Sequence, residues 1–252
     1  MEKVIEIAQG ELGYLEKKSN SQLDSKTANA GEGNFTKYWR DLKPAYQGEP
    51  WCNCFVNWCF VQAYGEEKAK KLLCTPGEWS YYTPTSAGYF KSAGRWKNKP
   101  SVGDIIYFKN SSRIHHVGIV TGVDAQKVYT IEGNTSNGKG VIPNGGAVCE
   151  KSYPLGSSSI AGYGRPDYSL VADGWTQIGG DWFFFRDGKK LCKEWLLSDH
   201  YWYRLGTDGK MLKGFHWIED KSQLRGCYFG DDGKLYHEDP DDRGFISPWY
   251  VP

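Results

Sequence analysis

The stretch EPWCNCFVNWCF at residues 49–60 decides the fold of the N-terminal half of this chain. Counted from Cys52, four apolar side chains share one face of a helix: Phe55, Val56, Cys59 and Phe60. The spacing predicts a helix over residues 52–63 with Cys52 in its first turn. Unpaired N–H groups at a helix N-terminus favour a thiolate and can bind the oxyanion of a tetrahedral intermediate. Cys52 is therefore a candidate nucleophile, whereas Cys54 and Cys59 are predicted to be small core residues.

Two extended segments further along the chain supply a candidate base. IHHVGIV at 114–120 and VYTIEGN at 128–134 predict two strands of a hairpin. Strand alternation places His116, Glu132 and Asn134 on one face and sends His115 to the other, with Glu132 or Asn134 directly across from His116. A carboxylate or carboxamide beside a histidine orients the imidazole toward a nucleophile.

The remaining pattern of residues 1–168 predicts an α+β domain. A helix over residues 2–16 is indicated by the apolar spacing of Val4, Ile5, Ala8 and Leu12. Strands are predicted within 102–108, 114–122, 127–133 and 160–166. Helices followed by short strands are typical of a fold with an antiparallel sheet.

The composition changes near residue 168, so we predict a second domain over residues 169–252. This tail holds 17 aromatic residues in 84 positions, and its 11 Lys and Arg oppose 14 Asp and Glu. A Trp–Trp interval of seven residues occurs twice, at Trp175 with Trp182 and at Trp195 with Trp202. Asp-Gly pairs close the copies at 187–188 and 208–209, and a third, degenerate copy ends at 232–233 with Cys227 in the place of a Trp. Asp-Gly between strand-like runs predicts a small all-β module of hairpins.

Charge and cysteine usage exclude several classes of function. A net charge of +1 lacks the excess of basic residues that is typical of a nucleic-acid binder. No run of about 18 apolar residues predicts membrane insertion, and the N-terminus lacks the apolar core of a signal peptide, so we expect synthesis in the cytoplasm. The seven cysteines form no disulfide framework or zinc pattern, so no metal and no cofactor are expected.

The ordered segments PWCNCFV, VGDIIYF, HHVGIVT, IEGNTS and AGYGRPDY resemble the CHAP family of papain-like cell-wall amidases and peptidases. The resemblance spans residues 1–168 and implies Cys52 as nucleophile, His116 as base, and Glu132 as orienting group with Asn134 assisting. Some family members carry an Asp-rich calcium loop before the nucleophile. The corresponding stretch in this sequence, LKPAYQGEPWC, has no such series of Asp residues, which argues against a calcium site.

The tail resembles the choline-binding repeats of phage endolysins and autolysins, in which aromatic faces enclose a trimethylammonium group. The resemblance implies one box from Trp175, Trp182 and Trp202, and a second from Trp195, Trp202 and Trp217. FFF at 183–185 departs from the usual repeat pattern, and similar repeats bind glucans. The rings alternatively form only the core of a small β-structure.

Together these features predict a peptidoglycan hydrolase that is anchored to choline-decorated teichoic acid. The preferred reaction is that of an N-acetylmuramoyl-L-alanine amidase. The alternatives are an endopeptidase of the stem peptide or cross-bridge, a non-catalytic choline- or glucan-binding wall protein, and a transglutaminase-like acyl transferase. Without a signal peptide, the enzyme is expected to reach the wall after release by a holin or by lysis.

Overall fold

The computed structural model describes residues 1–136, 146–186, 188–220 and 223–239. The chain divides into two compact units, Met1–Tyr168 and Ser169–Pro252. Each unit has its own secondary structure and its own core, and each is described separately below. No helix among these residues has the length and apolar character needed to cross a bilayer.

Helices dominate the first half of the first unit. They are α1 (Glu2–Gly10), α2 (Lys37–Leu42), α3 (Cys52–Tyr64), α4 (Glu66–Leu72) and α5 (Thr83–Ser92), with a short 3-10 turn at Pro44–Tyr46. The predicted helix from residue 52 is confirmed and ends at Gly65, whose positive φ of 75° closes it. The predicted helix over 2–16 is too long, because the chain leaves the helix after Gly10 and turns at Gly13, where φ is +80°.

The strands of the first unit form one antiparallel sheet. They are β1 (Trp96–Lys97), β2 (Ile105–Lys109), β3 (Ile114–Val123), β4 (Lys127–Thr135), β5 (Ala147–Pro154) and β6 (Ile160–Gly164), arranged in the order β1-β6-β2-β3-β4-β5. The α+β prediction is confirmed by this arrangement. Sequence reasoning missed β5, although its burial alternates along the strand as a half-buried strand should.

The core of the first unit lies between helix α3 and the sheet. Helix α3 packs against β3 and β4, and ten of its 13 residues are buried. Cys54 and Cys59 are fully buried, and burial raises the pKa of both thiols well above the usual value. Strand β4 approaches the helix closely at Gly133, where a Cβ would lie 2.7 Å from Phe55.

The second unit consists of three small antiparallel sheets, which confirms the predicted module of hairpins. The strands are β7 (Gly174–Ile178), β8 (Asp181–Arg186), β9 (Lys189–Lys190), β10 (Trp195–Ser198), β11 (Tyr201–Arg204), β12 (Gly214–Asp220), β13 (Gln223–Phe229) and β14 (Leu235–Asp239). They group as β7-β8-β9, β10-β11 and β12-β13-β14.

Two-residue turns set the register of the hairpins in the second unit. Gly179–Gly180 joins β7 to β8, and Asp199–His200 joins β10 to β11; all four residues have positive φ. Two successive positive φ values are the mark of a type I′ turn, which suits the twist of paired strands. Asp208–Gly209 forms a tight turn as predicted, in which Asp208 accepts a hydrogen bond from the Lys210 N–H. The predicted Asp187–Gly188 turn lies partly outside the described residues.

Candidate active site

Cys52 occupies the first turn of α3, where the helix begins without a side-chain cap. The first N–H groups of any helix lack a partner within the helix, so they point toward the solvent side of this turn. The Cys52 side chain is 7% exposed and lines an open cleft. The helix start thus places a sulfur atom, unpaired N–H groups and the positive end of the helix dipole at one point.

His116 and Glu132 form a fully buried pair beneath this cleft. The His116 Nε2 and Glu132 Oε2 atoms are 2.9 Å apart, and neither side chain is exposed. Because an ionised carboxylate only accepts, Nε2 carries the proton in this bond. The other ring nitrogen, Nδ1, is therefore the one left to exchange a proton with another group. Nδ1 is buried and makes no hydrogen bond within the described residues.

The charge on His116 follows from its surroundings. Burial lowers the pKa of the imidazole, but Cys52 and Glu132 together outweigh burial and raise that pKa to about 10. Cys52 acts on the imidazole first through a close side-chain contact and then through its charge. The site therefore favours the protonated form of His116.

Two hydroxyl groups hold the carboxylate of Glu132 in place. The Thr130 hydroxyl donates to Oε1 at 2.6 Å, and the Tyr153 hydroxyl donates to Oε2 at 3.2 Å. Hydrogen bonds to a carboxylate stabilise its ionised form. Sequence reasoning missed both residues. Thr130 shares the face of Glu132 by simple alternation, which could have identified it, whereas Tyr153 lies on the strand that was not predicted.

Glu132 reaches His116 obliquely, so of the two positions predicted to lie directly across from His116, Glu132 is not the one that does. The pairing of Ile119 with Ile131 puts Gly118 beside Glu132, and an irregularity between Val120 and Gly122 shifts the hairpin register. A Cβ on Gly118 would lie 2.5 Å from the Glu132 Cγ. The missing side chain at Gly118 is what lets the carboxylate cross to the histidine.

Asn134 lies at the end of the same strand in a strained backbone conformation. Its φ is +55°, its side chain is 1% exposed, and its Oδ1 atom has no hydrogen-bond partner within the described residues. The structure therefore shows no hydrogen bond from this Oδ1 to His116. Its assisting role stays a prediction.

The cleft over Cys52 has a volume of about 620 Å³ and aromatic walls. Its lining includes Trp39, Tyr46, Glu49, Trp79, Ser80, Tyr81, Tyr82, Arg113 and His115. Sequence reasoning identified none of the wall residues, because they come from loops on either side of α3. His115 borders the cleft that contains Cys52, whereas the neighbouring His116 is fully buried.

The predicted choline-binding tryptophans occupy different environments in the second unit. The Trp195 and Trp202 rings meet at 6.4 Å and nearly perpendicular, and Trp195 also packs on Phe229 in a small core. Trp175 contacts Tyr203 at 4.8 Å. Trp182, Trp202 and Trp217 each expose more than a third of their surface. Within the described residues no direct ring contact joins Trp175 to Trp182 or Trp202, so the two boxes stay a prediction.

Comparison with known proteins matches part of the chain to a family model. Residues 44–134 match the model of the CHAP domain, and they include Cys52, His116 and Glu132. No curated protein matches the chain.

The chain is also similar to several solved structures. A multimodular pneumococcal cell-wall endolysin from phage Cp-1, complexed with choline, shares 32% identity over 26% of this chain and 18% of that chain, with a TM-score of 0.23. Choline-binding protein F from Streptococcus pneumoniae shares 17% identity over 48% and 43%, with a TM-score of 0.22. Ly7917 shares 11% identity over 99% and 98%, with a TM-score of 0.39. The chain thus spans less than a fifth of the phage Cp-1 endolysin.

Residues 44–134 of the N-terminal unit, with Cys52, His116 and Glu132 among them, are therefore similar to the CHAP domain.

Proposed function

We propose that this protein is a cysteine-dependent peptidoglycan hydrolase, and specifically an N-acetylmuramoyl-L-alanine amidase. The observation that carries the proposal is the buried His116–Glu132 pair beside Cys52 at the uncapped start of α3. Burying two charged groups costs several kcal/mol each before they pair. A protein that only binds the wall gains nothing from that arrangement, which argues against the non-catalytic alternative.

The first half of the reaction follows from the geometry. The Cys52 thiolate attacks the carbonyl carbon of the scissile amide, and the N–H groups of the first turn of α3 stabilise the oxyanion. The C–N bond then breaks as His116 gives its Nδ1 proton to the leaving amine. The acyl group stays on sulfur as a thioester. Glu132 keeps the ring oriented throughout, through its bond to Nε2.

The second half regenerates the enzyme. Water enters the cleft and passes a proton to Nδ1 of His116 as its oxygen attacks the thioester. The tetrahedral intermediate collapses, the C–S bond breaks, and a carboxylic acid is released. Cys52 returns to its thiolate state beside the imidazolium.

The walls of the cleft support the amidase over the endopeptidase. Tyr46 and Tyr82 line the cleft and are 43% and 55% exposed. Aromatic faces pack well against the C–H faces of sugar rings, and the amidase substrate carries a muramoyl sugar next to its scissile amide. A cross-bridge endopeptidase would have only peptide on both sides.

We further propose that the second unit binds choline on teichoic acid, and that the enzyme acts at the bacterial wall after its release from the cytoplasm. The tail is acidic and rich in exposed tryptophan, which suits a quaternary ammonium group. A glucan is the alternative ligand, because stacking on a sugar needs exposed aromatic rings but no excess of acidic residues.

Substitution of the nucleophile tests the catalytic proposal. We expect Cys52→Ala to lower the rate of wall lysis at least about 10³-fold while the protein stays folded, since the change removes the thiolate but little volume. The matched control is Cys54→Ala, which removes a thiol from the buried side of the same helix. That variant is expected to lose stability but to retain lysis at low temperature.

Product analysis then identifies the bond. Purified walls digested by the wild type should show new amino groups without new reducing ends, and mass spectrometry should find free stem peptides. New amino groups within the peptides would favour the endopeptidase instead. Lysis at the wild-type rate by Cys52→Ala would overturn the assignment of the nucleophile.

A further inference from the structure

A β-bulge directs His115 into the cleft. Along the β2–β3 pair, Phe108 faces His116 and Lys109 faces Ile114, so His115 is an extra residue with no partner on β2. Bulges of this kind occur next to active sites and re-aim a side chain. His116 therefore lies inside the domain against Glu132, while the preceding residue, His115, borders the cleft that contains Cys52.

The His115 ring retains an unused polar atom. Its Nδ1 is buried and has no hydrogen-bond partner within the described residues. Burial, followed by the charges of His116 and Arg113, lowers the pKa of the ring, so it is neutral near pH 7. A buried, unpaired nitrogen costs free energy unless a ligand satisfies it.

Arg113 brings a positive charge to the same side of the cleft. Its guanidinium lies over the Tyr82 ring, 5.4 Å from the centroid, and one N–H donates to the Ile114 carbonyl at 3.1 Å. Within the described residues no carboxylate lies within salt-bridge distance of it. Glu49 also lines the cleft but is not paired with Arg113. Stacking fixes the plane of the guanidinium and leaves its remaining donors available.

We propose that Arg113 binds a carboxylate of the substrate close to the scissile amide, and that the unprotonated Nδ1 of His115 accepts a hydrogen bond from a neighbouring N–H of the same substrate. This inference rests on the proposed function and names the part of the substrate that the cleft selects. A guanidinium offers parallel N–H donors that match a carboxylate. The neutral His115 ring donates its single N–H to the Lys109 backbone carbonyl, so its Nδ1 can only accept a hydrogen bond. Substrates with a free carboxylate at this position should bind better than their carboxamide counterparts.

The test uses the full-length Cys52→Ala protein, which binds without turnover. Two synthetic muramoyl peptides are titrated by calorimetry; they are identical except that a free carboxylate next to the scissile amide is a carboxamide in one of them. We expect the carboxylate peptide to bind about tenfold more tightly. Adding Arg113→Gln should abolish that preference, whereas His115→Phe, which keeps a ring without nitrogens, should weaken the binding of both peptides and leave the preference in place.

Lys109→Gln is the matched control, because it removes one exposed positive charge from the same bulge without touching the cleft lining. It should leave the preference unchanged. Equal affinity for the two peptides in a protein whose wild type lyses walls would overturn the carboxylate site alone. A preference that persists in Arg113→Gln would overturn it as well. Failure of the proposed function would instead appear as lysis that does not depend on Cys52.

Discussion

At the scale of single residues, the geometry of the site depends on Gly118, because a glycine has no side chain. The Glu132 carboxylate crosses over this glycine to reach His116, and it is held there by Thr130 and Tyr153. Neither partner of the buried pair could be moved without leaving a charge uncompensated. The geometry of the His116–Glu132 pair is therefore expected to be sensitive to a methyl group at position 118.

We expect Gly118→Ala to lower kcat about 100-fold, because its Cβ would lie 2.5 Å from the Glu132 Cγ and would displace the carboxylate. Gly122→Ala on the same strand is the control, since its Cβ would meet the Tyr129 ring at an ordinary 3.4 Å. Lysis rates and melting temperatures of both variants check this. A folded Gly118→Ala protein with unchanged kcat would show that Glu132 does not need its position above Gly118.

The raised pKa of His116 links stability to pH. The folded-state pKa of about 10 lies above the ordinary value of 6.5, so the bound proton stabilises the folded state. This contribution is fully present below about pH 6.5 and is lost as the pH rises toward 10. The difference in unfolding free energy between the wild type and His116→Gln should therefore shrink from pH 7 to pH 10 in urea titrations.

His115→Gln is the control for this titration, because the pKa of His115 is lowered by burial and the ring is already neutral throughout that range. Its difference from the wild type should stay constant between pH 7 and pH 10. A constant difference for His116→Gln as well would mean that His116 is neutral in the folded protein.

At the scale of elements, the hairpin turns of the second unit carry measurable strain. The turn between β10 and β11 places Asp199 and His200 at φ values of 48° and 68°, whereas the equivalent turn between β7 and β8 uses two glycines. Residues with a Cβ pay roughly 1–2 kcal/mol for this conformation, although Asp tolerates it better than most. The β10–β11 hairpin thus has the same turn geometry as the β7–β8 hairpin, but at a cost in conformational free energy.

We expect His200→Gly to stabilise the second unit by up to about 1 kcal/mol, since glycine adopts the required conformation without strain. His200→Ala is the control: it also removes the imidazole but keeps the Cβ, so it should bring no gain. Calorimetric melting of the full chain measures both variants. Equal stabilisation by the two would assign the effect to loss of the imidazole and not to the turn.

At the scale of the whole molecule, charge is divided between the two units. The tail carries more acidic than basic residues although the whole chain has a net charge of +1. The proposed function assigns catalysis to the first unit and attachment to the second. Each part can be tested without disabling the other.

Free choline should compete with binding to choline-like surfaces but should not inhibit cleavage of the scissile amide. A few cation–π contacts of about 0.5–2 kcal/mol each predict roughly millimolar affinity for free choline. Choline at tens of millimolar is therefore expected to elute the full chain from a quaternary-amine resin, and Trp202→Ala should weaken retention. Cleavage of a small soluble muramoyl peptide should be unchanged in both cases.

Leu197→Ala is the control for Trp202, because Leu197 pairs directly with it on β10 and is comparably exposed but has no π face. Retention of this variant should match the wild type. Retention on a glucan resin, with none on the quaternary-amine resin, would replace choline with a glucan as the ligand.

The sequence by itself determined the features that depend on near neighbours in the chain. The spacing of Phe55, Val56, Cys59 and Phe60 indicates helix α3 with Cys52 at its start, and strand alternation puts Glu132 on the face of His116. The paired tryptophans and Asp-Gly turns indicate the hairpins of the tail. These signals are local because helix and strand periods repeat within a few residues.

Only the tertiary structure decided how distant residues meet. The oblique approach of Glu132 depends on the β3–β4 register, and the hydroxyl of Tyr153 comes from a strand more than 20 residues away. The entry of His115 into the cleft depends on a bulge that strict alternation does not contain. Register, bulges and loop walls follow from how all the elements pack together, so no single stretch of sequence encodes them.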